Sequence, residues 1–156
     1  MSDSVVVTTL VEVDAATAFA VFTSEIDLWW RREARFRAGG AMRFDDQRLV
    51  EIVGERVIEL GRVTAWEPPR RLVVAWLGTS KVAGAETEVE VRFDPEGAAT
   101  RVTIEHRGWD RVPALHPGRH GLGTGIAFDS LIGGWWADLL TALLSYKERR
   151  SASQAR

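Results

Sequence analysis

The sequence predicts an α+β domain in which a curved antiparallel sheet is covered on one face by a long C-terminal helix, with two short helices after the first strand. Three observations lead there. The run Thr87-Glu88-Val89-Glu90-Val91-Arg92-Phe93 alternates with period two, placing Val89, Val91 and Phe93 on one side and mostly charge on the other. At 100° per residue, Phe128, Ile132, Trp135, Leu139, Leu143 and Tyr146 form one stripe, opposite Ser130, Ala137, Thr141, Ser145 and Glu148. The β-branched opening from Val5 to Val13 stops at Asp14, whose carboxylate suits the start of a helix at Ala15.

In chain order, the first helix carries Phe19 and Phe22 and gives way at Thr23-Ser24, where Ser24 is a second plausible cap for a helix from Glu25 to Trp30. Strands follow at Leu49 to Val53, Val57 to Ala65 and Leu72 to Leu77, punctuated by Gly54 and by Pro68-Pro69. Asp45 and Asp46 read as a turn. The turn residues Asp94-Pro95-Glu96-Gly97 join the alternating run to a partner strand from Thr100 to Glu105, as in a hairpin. Residues 108–125 hold five glycines and two prolines, which predicts a long mobile connection, with 118–125 suited to a flexible gate. The last helix then runs toward a tail at 150–156 that should fray, leaving one domain over residues 5–149.

Composition narrows the classes of function. At 156 residues, 46% hydrophobic, with seven Trp and six Phe, the chain has the material for a sizeable core. Twenty basic residues against 22 acidic ones give a net charge of −2, which offers no general field for nucleic acid. The absence of cysteine excludes disulfides, thiol nucleophiles and thiolate metal sites, and fits a reducing cytoplasm. No apolar run approaches the roughly 20 residues of a membrane span, and Met1-Ser2-Asp3-Ser4 lacks a basic start followed by an apolar stretch, so no leader is expected. His116 and His120 are four apart, but Pro117 and Gly118 intervene, so neither a helical metal pair nor any other metal site is expected. GxGxxG in a βαβ setting, GxxxxGK[ST] and GxSxG are all absent, and no cofactor is expected.

The segment Gly61-Arg62-Val63-Thr64-Ala65-Trp66-Glu67-Pro68-Pro69-Arg70-Arg71-Leu72-Val73-Val74-Ala75-Trp76 resembles the SRPBCC (START/Bet v 1-like) superfamily, in its branch similar to the activator of Hsp90 ATPase C-terminal domain. Val13-Asp14-Ala15, Ile26-Asp27-Leu28-Trp29-Trp30, the hairpin from Glu88 to Gly108, and Gly134-Trp135 with Leu139 and Leu143 support the likeness, which spans residues 5–149. The resemblance implies a helix-grip fold whose sheet curves around the last helix, with an internal cavity that in relatives receives apolar or amphipathic molecules. The Hsp90 co-chaperone carries a further N-terminal domain for which this chain has no room, and Ala16-Thr17-Ala18 stands where relatives often have prolines.

Candidate ligand-binding residues are Trp29, Trp30, Phe44, Trp76, His106, Trp109, Phe128, Ile132 and Trp135. Aromatic rings offer wide apolar faces and indole N–H groups that orient a polar end, although the same rings could simply fill a core. His106 is in phase with Val102 and Ile104 and so points to the covered side, either as a polar anchor or base, or as a core histidine satisfied by a partner such as Glu33 or Asp110. Arg31, Arg32, Arg35, Arg37 and Arg43 form either an anion-steering patch or a solvated face offset by nearby acids.

The leading expectation is a protein that binds a small apolar or amphipathic molecule between sheet and last helix, without cofactor, nucleic acid or membrane insertion. Two alternatives stand beside it: a cofactor-free cyclase, dehydratase or hydrolase using the same cavity, and an Hsp90-activator-like interaction domain. A homodimer is compatible with the sequence, though no motif specifies one.

Overall fold

The computed structural model describes residues 4–30, 40–76, 87–109 and 126–154, with side-chain environments in the last span given chiefly from 132 to 150. The elements are β1 (Ser4–Val11), α1 (Ala15–Ser24), α2 (Ile26–Trp29), β2 (Ala41–Asp45), β3 (Arg48–Val53), β4 (Arg56–Glu67), β5 (Arg71–Trp76), β6 (Thr87–Glu96), β7 (Ala99–Arg107) and α3 (Ile126–Gln154). The strands form one seven-stranded antiparallel sheet in the order β1-β7-β6-β5-β4-β3-β2. This is the expected curved sheet with a long last helix and two short early ones. No helix of the described residues is long and apolar enough to cross a membrane.

Local chemistry accounts for the boundaries. Asp14 caps α1 by accepting the Thr17 N–H at 2.8 Å, and those hydrogen bonds hold its carboxyl below the usual carboxylate range. Ser24 does not cap α2. It closes α1, the cap position falls to Glu25, and no side-chain bond is made there. Asp46 sits in the tight turn between β2 and β3 with φ 56°, a conformation aspartate tolerates better than most residues. Asp45 ends β2, so the two carboxylates serve a turn, as the sequence indicated. The expected mobile connection over 110–125 lies outside the described residues. The final helix continues through Gln154, beyond the frayed end expected from residue 150.

Two register shifts bend the sheet, one at Leu49/Val50 between β3 and β4 and one between Val63 and Ala65 in the β4–β5 pairing. Each leaves an extra residue on one strand and increases local twist, which turns the sheet around what lies beneath it. Gly61 occupies this bend because a Cβ there would collide with Val74 Cγ1 and reach 2.9 Å from the Ala75 carbonyl oxygen.

The inner face presents Val5 and Val11 of β1, Leu72, Val74 and Trp76 of β5, Val89, Val91 and Phe93 of β6, and Val102, Ile104 and His106 of β7, all buried. α3 covers it with Ile132, Trp136, Leu139, Leu140 and Leu143, while Phe19 and Phe22 of α1 pack on Phe93. The helical stripe therefore centres on Trp136; Trp135, its expected member, is only partly buried. The outer face is held by charge. Glu90, 8% exposed, accepts hydrogen bonds from Arg71 and Arg107, and Glu105 accepts from Arg92 at 3.1 Å. Burial acts to raise the Glu90 carboxyl, but Arg107 and Arg71 outweigh it and bring it down to about 2.

α3 is fixed near its far end as well. Tyr146 donates its hydroxyl proton to Glu25 Oε1, which also accepts Arg150 Nε at 3.0 Å, tying the helix to the α1–α2 junction. Burial, followed by the Glu25 carboxylate, raises the tyrosine's pKa.

Candidate functional site

Four tryptophans from separate parts of the chain form one cluster with a histidine. Trp30 follows α2, Trp76 ends β5, Trp109 stands two residues beyond β7, and Trp136 projects from α3; each is 3% exposed or less, and His106 is 0% exposed. Trp30 and Trp76 are parallel within 6°, their centroids 6.0 Å apart, and Trp136 stands edge-on to both at 5.8 and 6.0 Å. His106 lies 4.5 Å from Trp109 and 5.7 Å from Trp136. Such tilted and edge-to-face arrangements bring positive ring edges against negative ring faces.

The histidine's protonation follows from its partners. The Trp136 Nε1–H can only donate, and it reaches His106 Nδ1 at 3.0 Å. The neutral ring therefore carries its proton on Nε2 and donates it to Thr87 Oγ1 at 2.7 Å. Register explains the meeting: Thr87 lies opposite Trp76, and Val89, two residues on, lies opposite His106. Burial depresses the imidazole to about pKa 3, so it is neutral at physiological pH. Both nitrogens are engaged by Thr87 and Trp136, which matches the satisfied-histidine alternative; that alternative names Glu33 or Asp110 as a partner. Those two acids lie outside the described residues.

Gly108 directs Trp109 onto the histidine. Its φ of 89° is open to glycine and strained for other residues, and it turns the chain at once after β7. Gly108→Ala should cost about 1–3 kcal/mol of stability and release the Trp109–His106 contact. A shift in tryptophan emission together with a lowered urea midpoint would verify this; an unchanged spectrum would refute it.

Of the sequence candidates, Trp30, Trp76, His106 and Trp109 meet in this cluster. Trp29 adjoins it, 5.7 Å from Trp30, and donates its indole N–H to the Phe22 carbonyl at 3.2 Å. Ile132 is buried one helical turn before Trp136. Phe44 is elsewhere, partly buried on β2 at 5.5 Å from Trp66. Trp135 does not reach the inner position, and the side chain of Phe128 lies outside the described set. Sequence reasoning overlooked Trp136 and the Thr87 hydroxyl. Alternation places Thr87 on the inner face with Val89, which was the available signal.

The four indoles and the imidazole form one buried cluster. Two concavities lined by described residues lie away from it: one of about 250 Å³ between α2 and α3, bordered by Leu28, Trp29, Asp138 and Arg149, and one of about 420 Å³ beside Gln47, Thr64 and Trp66. Among the described residues no group of three or more His, Asp or Glu is placed to hold a metal. His116 and His120 lie outside them, as do Arg31, Arg32, Arg35 and Arg37; Arg43 pairs with Asp45 at 3.8 Å.

No curated protein sequence matches the chain. Solved structures do. The self-sacrificing resistance protein CalC from Micromonospora echinospora superposes with a TM-score of 0.63 at 20% identity, covering 94% of this chain and 95% of that one. The Aha1 dimer from Colwellia psychrerythraea gives 0.58 at 13% identity, covering 92% and 93%. The anthrahydroquino-γ-pyrone synthase Txn09 gives 0.51 at 26% identity, covering 70% and 79%. These likenesses agree on the helix-grip architecture. Residues 12–132 match the family described as Activator of Hsp90 ATPase homolog 1-like protein, and the chain belongs to that family.

Proposed function

We propose that this protein binds a small apolar or amphipathic molecule, at least partly planar and aromatic, against the tryptophan cluster between the sheet and α3. The observation that carries the reading is the clustering of Trp30, Trp76, Trp109 and Trp136 with a neutral histidine, at the end of the domain where α2, β5 and β7 stop. A flat ring sliding among these indoles gains about 25 cal/mol for each Å² of apolar surface removed from water. It also keeps the edge-to-face geometry that the indoles already use with one another. The relative named as an anthrahydroquino-γ-pyrone synthase handles a fused aromatic by its name, which supports the same ligand class here.

The geometry favours binding over proton transfer by this histidine. A general base needs an accessible lone pair, and the only unprotonated nitrogen of His106 is occupied by the Trp136 N–H. The family's Hsp90-activating namesakes support a second reading, a surface that engages a protein partner.

Native mass spectrometry of the purified protein, together with a fluorescence titration using 1,4-dihydroxyanthraquinone, tests the proposal. The expected result is saturable quenching of tryptophan emission, with Trp109→Ala weakening the probe at least about tenfold, or roughly 1.4 kcal/mol. The absence of both a retained small molecule and saturable quenching would overturn it. Stimulation of an Hsp90 ATPase in that circumstance would support the second reading.

A further inference from the structure

We infer that the outer edge of β1, which no other described strand covers, is a self-pairing surface through which two copies of the chain join their sheets about a two-fold axis at Thr8. The sheet has two edges, β1 and β2. Natural edge strands are usually kept from pairing by shortness and charge. β2 follows that rule: it has five residues, and Asp45 pairs with Arg43 and with Arg48 at 3.8 and 3.5 Å. β1 does not. It runs eight residues, Ser-Val-Val-Val-Thr-Thr-Leu-Val, without one charged side chain. On its outer face Val6 is 54% exposed and Leu10 41% exposed, with exposed Thr8 between them.

The pattern is complementary to itself in one register. When two copies pair antiparallel in a continuous sheet, facing residues must share a face, so their numbers sum to an even value. Centring on Thr8 sets Thr8 against Thr8 and covers each exposed Val6 with the other copy's Leu10. On the inner side Val5 meets Val11, and Val7 meets Thr9. Centring on Val7 would set Leu10 against Ser4 and leave its apolar surface without an apolar partner. The helix flank leaves space for the second copy. The α3 residue beside β1 is Gly133, where a Cβ would come 3.4 Å from Val5 Cγ1, and Ala137 one turn on is small and exposed.

Sedimentation velocity and light scattering test the pairing. The full chain should have twice the 17.4 kDa mass of one copy. Val6→Glu and Leu10→Glu should each return it to a single-chain mass with unchanged circular dichroism, since both side chains are exposed on the outer face. The native sequence has no cysteine, so Thr8→Cys gives a clean second readout. Oxidation should convert this variant to a covalent dimer, while Arg43→Cys on the other edge should stay uncoupled. A single-chain mass for the unmodified protein at every concentration would overturn the inference. So would a dimer that survives both glutamate variants, or one that couples through Arg43→Cys and not Thr8→Cys.

Discussion

Truncation of Trp76 to alanine should lower folding stability by about 3–5 kcal/mol, the largest single-site loss expected in this protein. Trp76 is 1% exposed and touches the rings of Trp30, Trp136 and His106 at once, so its removal empties a space that three rigid rings cannot refill. Such a loss is a large part of the 5–15 kcal/mol typical of a domain, and Trp76→Phe, which keeps a ring, should retain a measurable transition. Urea unfolding followed by circular dichroism reads the effect without relying on the indole itself. Trp66, 46% exposed, is the internal comparison, and Trp66→Ala should cost far less. Equal losses at the two positions would show that the cluster is loosely packed.

Acidification should destabilise the protein well above the pH at which its carboxylates respond, and His106 is the cause. Its folded-state pKa of about 3 lies below the ordinary 6.5, so the unfolded chain takes up a proton between those values that the folded chain refuses. The histidine's contribution is thus complete above pH 6.5 and declines as pH falls toward 3. Glu90, depressed from 4.5 to about 2, adds its own loss only below pH 4.5. Between pH 6.5 and 4.5, two pH units at 1.36 kcal/mol each make the histidine's loss roughly 2–3 kcal/mol. His106→Gln keeps an amide donor for Thr87 and carries no titrating proton, so its stability should be nearly flat across that interval. An equally steep decline in the variant would assign the acid response to other groups.

The sheet and the last helix were legible in the sequence because both bury one face of a regular pattern. Thr87 to Phe93 alternates cleanly, and α3 shows its stripe despite two adjacent glycines. β2 was harder to read, since its five residues take their strand character from pairing Met42 with Glu51 and Phe44 with Leu49. β3 was legible from Leu49 to Val53, but nothing in the sequence marked Glu51 as buried. It is a carboxylate at 0% exposure, bonded to the Gly40 N–H, and no periodicity of apolar residues announces such a group. The choice between Trp135 and Trp136 turned on a difference of 100° about a helix axis, which only the docking onto His106 resolves. His106 itself was found from its phase with Val102 and Ile104. Its partners were not, because they come from residues 19 positions before it and 30 after it.

The Tyr146–Glu25 bond gives the last helix the mechanics of a cantilever. It is clamped toward its far end, while over the aromatic rings it is held by the Trp136 N–H on the imidazole and by the buried side chains of Ile132, Leu139 and Leu140. Ile132 lies 14 residues from the clamp, about 21 Å along the axis, so a tilt of about 5° would carry it about 2 Å from the sheet. A swing of the helix about that clamp would therefore widen the space over the rings and leave the sheet itself undisturbed.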